Sequence, residues 1–355
     1  MKVFFDVTKT SRQGHGSGIT RTARRLGLVL GRELGDDWVP VVWRDRSRAL
    51  SRLKGAEPVR PQAGDWFLTC EPFSPDERKG FVGFLNRHPC RMAAVFHDAI
   101  PLRHPEFTWP KSVARFPGYL KMLAGFDHVF AVSNSSRREL SGYLEWLGAA
   151  PAPQITVVRP GADFTEAPRP TDLAARSTGR MILSVGILEP RKNQLLLLEA
   201  CERLWDTGLS FDLILVGRVN PHFGKPAVAQ VRRLRRLGRP VTHAGRVDDG
   251  ELHRLLSECR FLVFPSRAEG CGLPVLEALW MGAPSLCSDL PSHRESAEGG
   301  GCALLPVNDP RAWENGLHRY LTDDSAVDRL AHEARERSLP TWQATGTGIL
   351  RVLAG

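Results

Sequence analysis

Two glutamates bracket a glycine-rich turn at residues 265–277, which read Pro-Ser-Arg-Ala-Glu-Gly-Cys-Gly-Leu-Pro-Val-Leu-Glu. The turn follows an apolar run that predicts a buried strand, and it leads into a predicted helix. Gly270 and Gly272 let backbone N–H groups approach an anion closely, and the positive end of the helix favours the same ligand. The turn therefore suits a diphosphate, with Glu269 contacting sugar hydroxyls and Glu277 accepting hydrogen bonds from a ribose. An ordinary strand, turn and helix with solvated glutamates is the alternative.

A histidine follows another apolar run, in the sequence Val95-Phe96-His97-Asp98. Open α/β sheets bind ligands at the carboxyl ends of their strands, so His97 is a candidate site residue. Asp98 either orients the imidazole or caps the following loop. A structural histidine with satisfied hydrogen bonds is the alternative.

These candidates need a frame of strands and helices to position them. Period and residue type predict strands at 3–7, 38–43, 66–69, 92–96, 128–133 and 155–158, with a helix at 20–34. After a polar, proline-containing linker at 166–180, the pattern restarts with strands at 181–185, 211–216, 241–244, 261–264 and 283–287 and helices near 194–205, 227–237, 249–258 and 274–281. Such alternation predicts an α/β protein with parallel, doubly wound sheets.

Length and composition fit this organisation. A chain of 355 residues with 42% hydrophobic content suits two domains. The seven cysteines form no Cys-x-x-Cys pair, which indicates neither a disulfide framework nor a zinc site and favours a reducing cytosol. The start of the chain does not resemble a signal peptide, and no apolar run reaches the roughly 18 residues of a membrane span. We therefore expect a cytoplasmic protein, soluble or peripheral on the inner face of the membrane.

The formal charge of +9 is concentrated near the start of the chain. Residues 1–60 contain 13 lysines and arginines and 6 acidic residues, a net charge of +7. A solvated basic face is the plainest interpretation, followed by contact with an anionic membrane or a phosphorylated acceptor. Nucleic acid ranks last, because the arginines have no interleaved aromatic residues.

The segment from Glu269 to Glu277 resembles the Glu-x7-Glu signature of the GT4-like retaining glycosyltransferases, in their mannosyltransferase-like branch. The resemblance spans nearly the whole chain, and it is strongest over residues 181–296 and weakest over 35–90. It implies the GT-B fold, in which two Rossmann-like domains face a central cleft. The boundaries we expect are 1–170 for the acceptor domain and 176–339 for the donor domain, with a helix at 340–355 packing back on the first.

Family motifs carry the site residues over to this sequence. The stretch 185–193 resembles the turn whose basic side chains hold the donor diphosphate; Lys192 takes the usual lysine position, and Ile187 replaces the common arginine, whose role passes to Arg191. His97 resembles the histidine that faces the transferred sugar, and the loop at 14–18 resembles a glycine loop over the phosphates. The catalytic residues implied are His97, Glu269, Arg191 and Lys192, and the donor-binding residues are Gly16, Gly18, Gly186, Gly217, Val247, Gly270, Gly272, Leu273, Pro274 and Glu277.

The resemblance also implies the chemistry. A hexose leaves a nucleotide sugar with retention of configuration, and no metal or cofactor takes part, which agrees with the absence of an Asp-x-Asp motif. The motif variants look most like members that use a GDP-sugar, with mannose as the best guess, and that extend bacterial surface polysaccharide on a saccharide or lipid-linked acceptor. A UDP-sugar transferase of the same fold and a non-catalytic sugar-nucleotide-binding subunit are the alternatives.

Overall fold

The computed structural model describes residues 1–12, 18–55, 57–164, 169–170 and 176–355. The chain divides into two compact units, Met1–Gly161 with Pro340–Gly355, and Ala162–Leu339. The first boundary therefore falls before the expected residue 170. Ala162 and Phe164 are buried in an apolar cluster of the second unit, which explains the earlier boundary. In the described part of the chain, no helix is both long and apolar enough to cross a membrane.

The N-terminal unit is built on a seven-stranded sheet with the order β3-β2-β1-β4-β5-β6-β7. Its strands are β1 (Val3–Asp6), β2 (Trp38–Arg44), β3 (Ala49–Arg52), β4 (Trp66–Thr69), β5 (Arg91–Phe96), β6 (His128–Ala131) and β7 (Gln154–Val157). Its helices are α1 (Gly18–Leu34), α2 (Phe81–Arg87), α3 (Ile100–Arg103), α4 (Pro110–Leu123), α5 (Asn134–Leu147) and, from the end of the chain, α13 (Trp342–Ala354). The edge strand β3 was not predicted, and it pairs antiparallel with β2 while the other pairs are parallel.

The C-terminal unit has a six-stranded, wholly parallel sheet with the order β10-β9-β8-β11-β12-β13. Its strands are β8 (Met181–Val185), β9 (Asp212–Val216), β10 (Val241–Gly245), β11 (Phe261–Phe264), β12 (Ser285–Ser288) and β13 (Cys302–Leu305). Its helices are α6 (Gln194–Asp206), α7 (Lys225–Arg236), α8 (Asp249–Glu258), α9 (Leu273–Trp280), α10 (Pro291–Ala297), α11 (Pro310–Thr322) and α12 (Asp324–Glu336). The predicted fold class, α/β with two Rossmann-like domains, is confirmed.

Buried side chains explain why these runs form central strands. All four residues of β11 are buried, as are the three middle residues of β8, because helices cover both faces of the parallel sheet. Each strand therefore reads as a continuous apolar run rather than an alternating one.

Helix α13 packs against α1 within the N-terminal unit. Two hydrogen bonds anchor it: Trp66 Nε1 donates to the carbonyl of Leu353 at 2.8 Å, and Thr345 Oγ1 donates to the carbonyl of Arg159 at 2.8 Å. Close approach of the two helices depends on Gly346, where an added Cβ would lie 2.5 Å from Cγ1 of Val29.

We expect Gly346→Ala to loosen α13, because valine is stiff at its first side-chain torsion and overpacking of this kind costs about 1–3 kcal/mol. Gly348 in the same helix has nothing within 4 Å of an added Cβ, so Gly348→Ala should gain roughly 0.5–1 kcal/mol from helix propensity. Hydrogen exchange of the peptide 340–355 would be faster in the first variant and no faster in the second. Equal protection in both would contradict this packing.

Candidate active site

The candidate site of the C-terminal unit lies where the strand order changes direction. From β8 the chain moves outward to β9 and β10, and it then returns to place β11 on the other side of β8. The turns after β8 and β11 therefore leave the same edge of the sheet on either side of a crevice, the usual ligand position in open α/β sheets. The turn after β8 contains Arg191 and Lys192, and the turn after β11 contains Glu269.

Glu269 is an ion-pair partner of both basic residues. Its Oε1 lies 2.5 Å from Nζ of Lys192 and 2.9 Å from an amino nitrogen of Arg191. Arg191 also donates to the carbonyl of Ala268 at 3.0 Å and pairs with Glu189 at 3.0 Å. The structure thus brings together three of the four predicted catalytic residues, although Glu269 is 77 positions from Lys192 and 78 from Arg191 in the chain.

Glu269, Arg191 and Lys192 form an ion cluster, and burial strengthens the electrostatic interactions within it. The side chains of Glu269 and Lys192 are each 9% exposed, and Nζ of Lys192 lies 4.3 Å from the ring centre of Phe264. Burial raises the pKa of Glu269, but the two cations outweigh it and bring that pKa to about 2. Burial lowers the pKa of Lys192 more than Glu269 raises it. A desolvated cation held beside a crevice is suited to bind an anionic ligand.

Glycines bring the strand ends together beneath the cluster. A Cβ on Gly217, after β9, would lie 1.9 Å from the carbonyl oxygen of Gly186, after β8, so no side chain fits there. His243 Nε2 hydrogen-bonds the carbonyl of Gly217 at 2.7 Å. Val247 follows β10 and packs against the apolar core with its side chain.

The turn after β11 ends in the helix α9. Gly272 is the N-cap residue in a left-handed conformation, with φ of 69°, and Leu273 and Pro274 open the helix. Glu277 is the fifth residue of α9, in its second turn, and it is 3% exposed. Gly270 precedes the cap and is half-buried. The first turn of α9 therefore presents N–H groups at the predicted diphosphate position.

His293, in α10, was not singled out from the sequence. It is fully buried, its Nδ1 is 2.8 Å from the carbonyl of Ser288, and its Nε2 has no hydrogen-bond partner among the described residues. A Cβ on Gly272 would lie 3.0 Å from Cδ2 of this ring. The imidazole therefore supports the turn from below. A lone histidine in Pro291–Ala297 gives no sequence signal for this contact.

His97 belongs to the N-terminal unit and follows β5. Its Nε2 hydrogen-bonds the carbonyl of Cys70 at 2.9 Å, and burial lowers its pKa, which favours the neutral ring. Asp98 accepts a hydrogen bond from the N–H of Ile100 at 3.0 Å, so it caps the following loop. Gly18 is the first residue of α1, whereas Gly16 lies outside the described residues.

A second buried ionic network was also missed from the sequence. Arg78 donates to Asp6 and to Glu71, each at 2.6 Å, and all three side chains are at most 3% exposed. Glu71 also accepts from the backbone N–H groups of Lys9 and Thr10. The network ties the loop after β1 to the loop after β4, at the strand-order reversal of the N-terminal sheet.

Two doubly wound units, one with a cationic crevice at its strand-order reversal, define the GT-B class of α/β proteins. Sucrose-phosphate synthase from Thermosynechococcus elongatus superposes with a TM-score of 0.73 at 19% identity, over 100% of this chain and 98% of that one. Anabaena Alr3699/HepE, solved with UDP and glucose, superposes with a TM-score of 0.72 at 16% identity, over 100% of both chains. These likenesses establish the fold.

Residues 169–337, which make up most of the C-terminal unit, match the family described as glycosyl transferases group 1. Serotype-specific mannosyltransferase WbdA of Escherichia coli is 29% identical over 58% of this chain and 26% of its own length. O-antigen chain mannosyltransferase B of Escherichia coli is 30% identical over 66% of this chain and 62% of its own length. D-inositol 3-phosphate glycosyltransferase of Nocardia farcinica is 27% identical over 76% of this chain and 63% of its own length. The chain thus spans from a quarter to under two thirds of these curated relatives.

The pKa of Glu269 leads to a prediction for acid stability. A carboxyl whose pKa falls from 4.5 to about 2 on folding stabilises the protein above pH 4.5 and loses that contribution as the pH falls towards 2. The contribution is about 3 kcal/mol. Urea unfolding of the C-terminal unit should therefore show a steeper loss between pH 5 and pH 2 in the unmodified protein than in Glu269→Gln.

The matched control is Glu199→Gln, which removes an exposed carboxylate of α6. This variant should lose as much unfolding free energy between pH 5 and pH 2 as the unmodified protein does. At pH 7, Glu269→Gln should cost roughly 3–5 kcal/mol, because it removes the carboxylate that pairs with buried Lys192 and leaves Arg191 with Glu189 alone. If Glu269→Gln lost as much unfolding free energy between pH 5 and pH 2 as the unmodified protein, the ion cluster would not stabilise the fold.

Proposed function

We propose that the protein is a retaining glycosyltransferase that moves a hexose from a nucleotide sugar to a saccharide or lipid-linked acceptor. One observation carries the proposal: in a unit that matches the group 1 family, Glu269, Arg191 and Lys192 meet beside the N-terminus of α9. Cations and helix N–H groups together suit a diphosphate, and a carboxylate beside them suits sugar hydroxyls.

Leaving-group stabilisation is the main catalytic effect in this proposal. As the bond between sugar and phosphate breaks, negative charge grows on the diphosphate. Arg191, Lys192 and the N–H groups of the turn at 270–273 neutralise that charge where it develops. The reaction then proceeds through an oxocarbenium-like ion pair, and the leaving phosphate assists deprotonation of the acceptor. The family resemblance assigns His97 to hydroxyls of the transferred sugar. In this scheme no metal or cofactor is required.

Mannose from GDP-mannose is the donor we favour. WbdA and mannosyltransferase B are named as mannosyltransferases, and the latter as an O-antigen enzyme, which supports synthesis of bacterial surface polysaccharide. The Glu-Pro-Arg-Lys-Asn stretch at 189–193 supports a GDP-sugar through its likeness to that branch.

Isothermal calorimetry with EDTA present tests donor and metal independence together. We expect GDP and GDP-mannose to bind more tightly than UDP, ADP and their sugars, because the base pocket discriminates while the diphosphate contacts are shared. Selective UDP binding would identify a UDP-sugar as the donor instead. Binding only after Mg²⁺ is added would refute metal independence. Binding without transfer to any saccharide acceptor would favour a non-catalytic subunit.

We expect Lys192→Ala to reduce turnover roughly 10²–10³-fold, the usual loss for one charged transition-state contact. GDP-mannose affinity should fall less, since the diphosphate of the uncleaved donor carries less negative charge than the departing group. Arg311→Ala, at an exposed arginine of α11, serves as the control and should retain full turnover. Steady-state transfer of radiolabelled mannose measures both variants, and unchanged turnover in Lys192→Ala would exclude this lysine from catalysis.

A further inference from the structure

Helix α7 and its C-terminal cap form the most one-sided basic segment of the C-terminal unit. Residues 221–240 contain six lysines and arginines and no acidic residue. The helix buries Ala227, Val231 and Leu234 against the unit. Its cations therefore lie on the opposite, exposed faces. The site described above leaves this segment without a role.

Two of these six cations have partners within the unit. Arg233 pairs with Glu202 and Arg239 pairs with Asp206, both in α6. The remaining four are Lys225, Arg232, Arg235 and Arg236, all exposed, whose side chains make no hydrogen bond or ion pair to any described residue. Three of the four fall within the last turn and a half of α7. Their positive charge is therefore uncompensated over a short surface.

An apolar residue stands directly beside these arginines. Leu237 follows α7 and is 57% exposed. Gly238 then reverses the chain in a left-handed conformation, with φ of 72°, and the N–H of Arg239 bonds the carbonyl of Leu234 at 3.0 Å. This cap fixes Leu237 at the tip of the helix, next to Arg235 and Arg236. A basic surface with a protruding leucine combines electrostatic and apolar attraction.

We propose that the basic tip, Arg232, Arg235, Arg236 and Leu237, docks the C-terminal unit on an anionic lipid bilayer. Arginines bind the lipid phosphates, and Leu237 enters the boundary between headgroups and acyl chains. Single-stranded nucleic acid fits less well, because residues 225–239 contain no aromatic side chain for base stacking. The proposal rests on charge and exposure in α7, and it stands independently of the sugar transferred.

Vesicle co-sedimentation tests the docking surface, with phosphatidylcholine vesicles alone or containing phosphatidylglycerol. The full chain should bind the anionic vesicles and lose binding as NaCl rises from 50 to 500 mM. Arg232→Gln, Arg235→Gln and Arg236→Gln combined should weaken the partition coefficient on the order of 100-fold, since each arginine near the surface contributes about fivefold. Glutamine has nearly the helix propensity of arginine, so α7 should remain folded.

The matched control substitutes glutamine for three exposed arginines in α11, α12 and α13, namely Arg311, Arg329 and Arg351. It removes the same charge, and it should weaken binding by a few-fold at most. Leu237→Ser should weaken binding about tenfold by removing apolar burial. GDP binding by calorimetry should be unchanged in every variant, which separates this proposal from the proposed function.

Three outcomes would overturn the docking surface. The first is failure of the full chain to bind anionic vesicles. The second is equal loss in the α7 variant and in the control, which would indicate net charge rather than a surface. The third is full binding by the α7 variant, which would assign any membrane contact to the basic N-terminal region. Binding of single-stranded RNA that depends on α7, without vesicle binding, would identify a different partner.

Discussion

The candidate site depends on one buried carboxylate shared by two cations. Glu269 joins the turn after β11 to the turn after β8. The backbone N–H of Arg267 also donates to the carbonyl of Arg191 at 2.8 Å, so a main-chain hydrogen bond accompanies the ion pairs between the two turns. Removing a charge from water costs several kcal/mol, which its partners offset only in good geometry. Because each member of the ion cluster needs the others, the two turns adopt one relative position, and the crevice between them is defined before any ligand arrives.

The cluster also extends sideways to a third strand. Glu189 pairs with Arg191 through Oε1, and its Oε2 accepts from Nδ2 of Asn220 at 2.9 Å. Asn220 in turn accepts from the N–H of His222, so the loop after β9 is held by the same chain of contacts. Polar groups buried in such a network stabilise it only when each is satisfied. The ends of β8, β9 and β11 therefore form one connected support.

Sequence patterns predicted the fold more fully than the contacts of the site. Strands β8, β9 and β11 are continuous apolar runs, so their positions were predicted to within one residue. Strand β3 was missed because four residues, Ala49–Arg52, give too short a pattern at a sheet edge. Residue types indicated Glu269 and Lys192 as ligand contacts, yet no local signal reports that side chains 77 positions apart bind each other. The supporting ring of His293 was missed for the same reason, since only tertiary packing places it under Gly272.

The charge state of the cluster limits the role that Glu269 takes in the proposed reaction. With a pKa of about 2, its carboxyl is ionised at neutral pH and cannot donate a proton to a leaving group. Its Oε1 is engaged by two cations, which lowers its strength as a nucleophile. Acceptance of hydrogen bonds from sugar hydroxyls is compatible with both facts. An incoming diphosphate would share Arg191 and Lys192 with this carboxylate, so the cations must carry the leaving-group charge and the departing phosphate needs no proton from Glu269.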